Sequence, residues 1–408
     1  MLGFSLQNDR PGIANRPNAW GHDLRALVSR LRRTAGYVRR RIWRDRVNRI
    51  EGLPEGVTFE TLNALCQEHG RGGLKRCAHE HLAGWKSHGT YRLVLATDVG
   101  TSWRLIFKDE CYCPELIPAL EGLPVSPGPP EVVLYRSRNS VLSRFLPQLF
   151  WFREVEPGRH FQYFLEDLAE THAMLRPEIP DHIKATRGLL QIHNALRETF
   201  GVGYPDGLIR YDRRYSERLL EYAVGNLSEY VAHTSDDAVA ALSERWREVV
   251  SVHQRDEFYD DGLRAPIHGD YNMSNIHTRR GDNTQLKVVD WEWAGVGLPH
   301  ADLAALVKSV RVEDYPILLQ VFREKDQRLD AEQDWRLFYW CRLERRLLDA
   351  AFLARQRLGS VRSVSWMQRE IRRAAGDALA AVAWLTAGQT RAASELAPKR
   401  AHLNVERL

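Results

Sequence analysis

The hydrophobic pattern changes its period once, near residue 170, and this change limits the fold more than any other feature of the chain. Upstream, LKRCAHEHLAG, TYRLVLAT and WRLIFKDE read as strands, with the turn DVGTS between the last two, and predict a three-stranded antiparallel start. A helix is expected at about 131–145 (EVVLYRSRNSVLSRF), after the Pro-rich loop PVSPGPP, and further strands at LFWFREVE and HFQYFLEDL. From residue 171 apolar residues recur at helical spacing, as in ATRGLLQIHNAL and DWRLFYWCRLERRLLDAAFLARQRL. Strands and helices are therefore segregated along the chain, which predicts an α+β fold. The expected organisation is a basic helical extension over 1–74, a small β-rich unit over 75–169 and a larger helical unit over 170–408.

The 408 residues, 44% of them hydrophobic, suffice for two ordinary domains with buried cores. No run of about 18 apolar residues is present, and MLGFSLQNDRPG has no apolar stretch of the kind a signal peptide needs. A cytoplasmic location is the expectation. The five cysteines, Cys66, Cys77, Cys111, Cys113 and Cys341, are odd in number and scattered, which argues against a disulfide framework and for reduced thiols. Charge is concentrated: residues 21–50 hold ten arginines against Asp23 and Asp45, a local +8 in a chain of net +5, so the other 378 residues carry −3. Leu24, Leu27, Val28, Leu31, Ala35, Val38 and Ile42 form an apolar stripe through this stretch. A helix there either packs by its stripe on the main body or meets an anionic membrane surface or nucleic acid. A shorter helix is expected at TFETLNALCQEHG, with Thr58 or Thr61 as cap and Gly70 as stop.

The chemistry is concentrated in IHGDYNMSNI and the following LKVVDWEWAG. Asp270 lies five residues before Asn275, and Asp290 ends an apolar strand, a spacing that suits a loop followed by a hairpin. Phosphoryl transfer to an alcohol requires a carboxylate to orient and deprotonate the hydroxyl, oxygen ligands for Mg²⁺, and positive charge around the phosphates. Asp270, Asn275 and Asp290 could supply the first two. His79, His81 and His88 read as strand and turn residues rather than as a metal cluster, since no convincing fourth ligand accompanies them.

Taken together, H-G-D-x-x-x-x-N and D-W-E resemble the aminoglycoside phosphotransferase and choline kinase relatives of protein kinases. The resemblance spans roughly residues 75–310, with tight motifs at 268–292. It implies a bilobal protein-kinase-like fold, a β-rich small lobe and a helical large lobe, with ATP and Mg²⁺ as cofactors. Asp270 is then the catalytic base, Asn275 a Mg²⁺ ligand and Asp290 the main Mg²⁺ ligand, while His268 supports the loop and Asp302 is structural. Lys108, closing WRLIFK, is the lysine that touches the α- and β-phosphates, and Glu131 is its partner on the next helix. Gly84, Ser87 and Gly89 in AGWKSHGT would bring backbone amides to the phosphates, although the full G-x-G-x-x-G pattern is missing. Backbone groups of Glu166, Asp167 and Leu168 would meet the adenine edge.

The expected activity is transfer of the γ-phosphate of ATP to a hydroxyl of a small molecule, such as an antibiotic, sugar, nucleoside or amino-alcohol, in resistance or biosynthesis. A second reading is a kinase of a membrane-associated or polymeric acceptor docked through the arginine-rich helix. A third is a nucleotide- or RNA-binding regulator without turnover, against which the set Lys108, Asp270, Asn275 and Asp290 argues.

Overall fold

The computed structural model describes residues 50–82, 89–111, 129–137, 139–201, 206–324, 329–358 and 365–387. The arginine-rich stretch 21–49, Gly84 and Ser87 lie outside the described residues.

The small lobe is one antiparallel sheet of six strands in the order β1-β2-β3-β4-β6-β5. Its strands are β1 (Ile50–Glu51), β2 (Leu74–Leu82), β3 (Thr90–Thr97), β4 (Ser102–Cys111), β5 (Leu149–Glu156) and β6 (His160–Glu166). Side chains alternate across a strand, and here both faces are covered. Leu93, Leu95, Trp103, Leu105, Phe107 and Phe164 share one face with Leu62, Leu65 and Cys66 of α1 (Phe59–Glu68). Phe161, Tyr163 and Leu165 point the other way, into the main core. The segment expected to form the C-terminal part of the helical extension thus packs directly on the sheet. Thr58 caps α1, its Oγ1 accepting from the Thr61 amide at 3.2 Å.

The helix expected at 131–145 is shorter than its pattern suggested. Helix α2 covers Pro130–Arg136 only, and a turn of 3₁₀ helix follows at Leu142–Arg144. Asn139 causes the break: its Oδ1 accepts from the amides of Val141 and Leu142, competing with helix continuation.

The large lobe is helical around two small sheets. The strand β7 (His172–Met174) pairs with β10 (Ile276–Arg279), which forms an antiparallel hairpin with β11 (Asp282–Val288). A second sheet has the order β8-β12-β9, from Ile209–Arg210, Gly295–Gly297 and Ala265–Ile267. The helices are α3 (Ile179–Phe200), α4 (Arg213–Thr234), α5 (Asp237–Glu244), α6 (Trp246–His253), α7 (His300–Leu306), α8 (Tyr315–Arg323), α9 (Ala331–Leu358) and α10 (Ser365–Ala387). Helix α9 packs against α4, α7 and α10. It is buried on most of its circumference, through Leu337, Phe338, Trp340, Cys341, Leu343, Leu347, Ala350, Ala351 and Ala354. Trp340 stacks on Phe258 with ring centroids 4.6 Å apart, and Phe338, Tyr339 and Trp340 of α9 are buried in the core.

Candidate functional site

The loop after β9 carries His268, Gly269 and Asp270, and one buried carboxylate shapes it. Asp302, on the first turn of α7, accepts from the amides of His268 at 2.8 Å and Gly269 at 2.7 Å, and from His193 Nε2 of α3 at 2.9 Å. Gly269 has φ +78, and a Cβ there would lie 1.9 Å from the Trp293 carbonyl oxygen, so only glycine fits. The Asp270 amide donates to His268 Nδ1 at 3.2 Å, which leaves the ring proton on Nε2, and this donates to the Val289 carbonyl at 3.1 Å. Burial lowers the His268 pKa and keeps the ring neutral, although Asp302, Asp270 and Asp290 work in the opposite direction. His268 therefore ties the Asp270 loop to the strand end that presents Asp290.

Asn275 closes the turn. Its Nδ2 donates to the Asp270 carbonyl at 3.0 Å and to Asp270 Oδ2 at 3.3 Å, while the Val289 amide donates to the Asn275 carbonyl at 3.0 Å. Asp290, two residues past β11, has φ +68, a left-handed conformation uncommon for a residue with a side chain. The turn of 3₁₀ helix Trp291–Trp293 follows, anchored by the Trp291 Nε1 donating to the Val288 carbonyl at 2.8 Å.

Across from this loop, strand register sets the small-lobe contribution. Lys108 pairs in register with Tyr163, so its side chain leaves the sheet on the face turned to the main core. Its Nζ lies 2.5 Å from Oε2 of Glu131 on α2. The Tyr163 hydroxyl donates to Glu110 at 2.6 Å and lies 3.3 Å from the same Glu131 oxygen. Burial raises the Glu131 pKa; Lys108 pulls it back down, and the neighbouring charges of Glu110 and Asp290 push it up. Glu131 thus feels Asp290, which brings the two halves of the predicted set into one electrostatic neighbourhood.

The remaining predicted residues make local contacts of their own. Glu166 ends β6, its amide donating to the Gln148 carbonyl at 2.9 Å. The Asp167 carboxylate receives Arg92 Nε at 2.7 Å, and the Leu168 carbonyl accepts from the His172 amide at 2.8 Å. At Gly89 the structure places the Tyr91 ring where a Cβ would be, and its carbonyl accepts from the Asp109 amide at 3.0 Å.

One residue that sequence reasoning passed over reaches the loop directly. Arg345, on α9, donates from one Nη to Asp270 Oδ1 at 2.5 Å and from the other to the Gly269 carbonyl at 3.1 Å, and its Nε lies 3.3 Å from Asp349 Oδ1. Burial alone would lower its pKa, but Asp270 and Asp349 hold it above its ordinary value, so it is a fixed cation. No local pattern announces this contact, because 75 residues separate the partners. Asp349 is in turn held well below the usual carboxylate range; burial opposes this, and Arg345, Lys308 and Arg346 outweigh it.

The sequence profile of the phosphotransferase enzyme family matches residues 142–340. Among solved structures, a protein assigned as an aminoglycoside phosphotransferase from Ralstonia eutropha JMP134 is similar, with TM-score 0.54 and 16% identity over 80% of this chain and 98% of that one. The microcompartment-associated aminopropanol kinase is similar with TM-score 0.50 and 17% identity, over 80% and 98%. No curated protein matches in sequence. The profile match covers the loop of Asp270 and Asn275 and the strand end of Asp290, and the fold is that of the protein-kinase-like phosphotransferases; residues 142–340 are thus similar in sequence to the phosphotransferase enzyme family.

Proposed function

We propose that the protein transfers the γ-phosphoryl group of ATP to a hydroxyl group of a small molecule, with Asp270 as the base. The observation that carries this reading is the single turn in which Asn275 fixes the Asp270 carboxylate, with His268 tying that turn to the strand end of Asp290, whose charge acts on the Glu131 partner of Lys108. The acceptor hydroxyl would lie within about 3 Å of Asp270, as general base catalysis requires. A bond forms from the acceptor oxygen to the γ-phosphorus as the bond to the β,γ-bridging oxygen breaks. The electron pair leaves on ADP, and the hydroxyl proton passes to Asp270. Lys108, held by Glu131, would neutralise the α- and β-phosphates.

The donor set suits Mg²⁺. Among the described residues no cluster of three or more His, Cys, Asp or Glu side chains could hold a metal by itself. An ion here would take hard oxygen donors from Asp290 and from Asn275, whose amide nitrogen is already engaged by Asp270, and would complete its shell with phosphate and water oxygens. When bound, Mg²⁺ would supply charge neutralisation at the β- and γ-phosphates.

Thermal unfolding with and without Mg²⁺ and ATP tests the nucleotide site, because a ligand at about 100 times its Kd adds roughly 2.7 kcal/mol. The expected outcome is a Mg²⁺-dependent stabilisation that Asp290→Ala loses. An ADP-release screen of hydroxyl acceptors, with Asp270→Asn as the inactive control, then identifies the substrate. Absence of any shift across nucleotides would overturn the reading.

A further inference from the structure

We propose that Arg345 is a catalytic residue of the transfer step, a guanidinium supplied by α9 of the same chain that contacts the phosphoryl group as it moves and holds Asp270 opposite it. This rests on the phosphotransferase reading above. Arg345 lies outside the residues 142–340 that match the family profile.

Three groups fix the guanidinium: Asp270 Oδ1, the Gly269 carbonyl and Asp349. Asp349 is itself braced, 3.0 Å from Lys308 Nζ and 3.2 Å from Arg346 Nη1. An arginine has five N–H bonds in a rigid fork; one on each terminal nitrogen is used, toward Asp270 and the Gly269 carbonyl, and each terminal nitrogen keeps a second N–H for a ligand.

The position of the reacting atoms follows from the base. The attacking oxygen must sit within about 2.6–3.2 Å of the Asp270 carboxylate, and the γ-phosphorus bonds to that same oxygen. A guanidinium 2.5 Å from Asp270 Oδ1 therefore borders the equatorial oxygens of the phosphoryl group, where negative charge is spread in the transition state. Because Arg345 is already braced and charged, it can meet that charge without reorganising. Its bonds and protonation state do not change during transfer. Lys108 is held by Glu131 on a separate element, α2, so the two cations would divide the triphosphate between them.

A purely packing role for Arg345, tying α9 to the loop, makes a different prediction. The test measures binding of ADP with Mg²⁺ to the full chain, with and without aluminium fluoride, whose complex with ADP imitates the planar phosphoryl group. The wild type is expected to bind ADP more tightly when aluminium fluoride is present. Arg345→Gln is expected to keep ADP affinity within about twofold while losing about tenfold to a hundredfold of that tightening, the loss of one or two charge-assisted hydrogen bonds. Arg345→Gln with full tightening overturns the proposal, as does a wild type that binds ADP and gains nothing from aluminium fluoride. Should Arg345→Gln fail to fold, Arg345→Lys decides: reduced tightening with normal ADP binding supports the proposal, because an ammonium cannot span both contacts, and wild-type tightening overturns it. A wild type that binds no nucleotide with Mg²⁺ fails the underlying reading instead.

Discussion

The Lys108 ammonium lies 2.5 Å from the Glu131 carboxylate, with the lysine on β4 and the glutamate buried on α2, so the lysine opposes the cost of burying that carboxylate. Removing the lysine leaves a buried carboxylate without its cation, which typically costs about 3–5 kcal/mol and somewhat less for a half-buried partner. Lys108→Ala is expected to lower stability by about 2–4 kcal/mol and to reduce phosphoryl transfer at least a hundredfold. Adding Glu131→Gln should restore much of the stability and none of the transfer. Urea unfolding beside an ADP-release assay separates the two effects, and joint recovery in the double variant would show that Lys108 is only structural.

Asp302 takes three hydrogen bonds with no exposure to solvent, two of them from backbone amides of the loop. Asp302→Ala is expected to destabilise the protein by about 3–5 kcal/mol, the range for an uncompensated buried group. Asp302→Asn presents an N–H to one of those donors and should fall in between. A melting temperature within about 2 °C of wild type for Asp302→Ala would mean that the loop is held by other contacts.

Gly269→Ala tests whether the loop geometry, rather than its chemistry, limits turnover. The added methyl meets backbone at 1.9 Å and the φ of +78 is strained for alanine, so Gly269 and Trp293 must move apart. The variant is expected to lose about 2–3 kcal/mol of stability and to lose transfer far beyond that, since displacing Asp270 by about 1 Å can cost about a hundredfold. Kinetics on the folded fraction would decide it.

Much of this site was legible because it is local. Asp270, Asn275 and Asp290 lie within 21 residues of each other, and the loop, hairpin and strand end that present them carry their own turn and apolar signals. The five longer strands of the small lobe were readable for the same reason, each being a run of strand-favouring residues between turn or loop signals. Strands of two or three residues, such as β8 and β12, carry too little pattern to be seen and exist only through tertiary pairing. Arg345 was illegible for a third reason: on α9 it is one of several arginines, and Asp349, four residues on, offers a sufficient partner along the helix. Only folding decides that Glu344 turns to Ser216 while Arg345 reaches the loop.

Acid sensitivity should follow from His253. It is buried against Trp340, with ring centroids 4.5 Å apart; its Nδ1 donates to the Val249 carbonyl at 2.9 Å, and its Nε2 has no partner. Burial pushes its pKa from the usual 6.5 down to about 4, against the weaker opposing effect of the Val249 hydrogen bond. The unfolded chain therefore takes up the proton first. Stability from this group is complete above about pH 6.5 and is lost as pH falls towards 4, by up to about 3 kcal/mol. His277, also lowered to about 4 by burial, adds a second proton to the same window. His253→Phe keeps a ring beside Trp340 and removes the titration, so its unfolding free energy should fall with pH by about one proton less than the wild type between pH 6.5 and 4. Equal slopes in the two proteins would show that His253 is not buried neutral in solution.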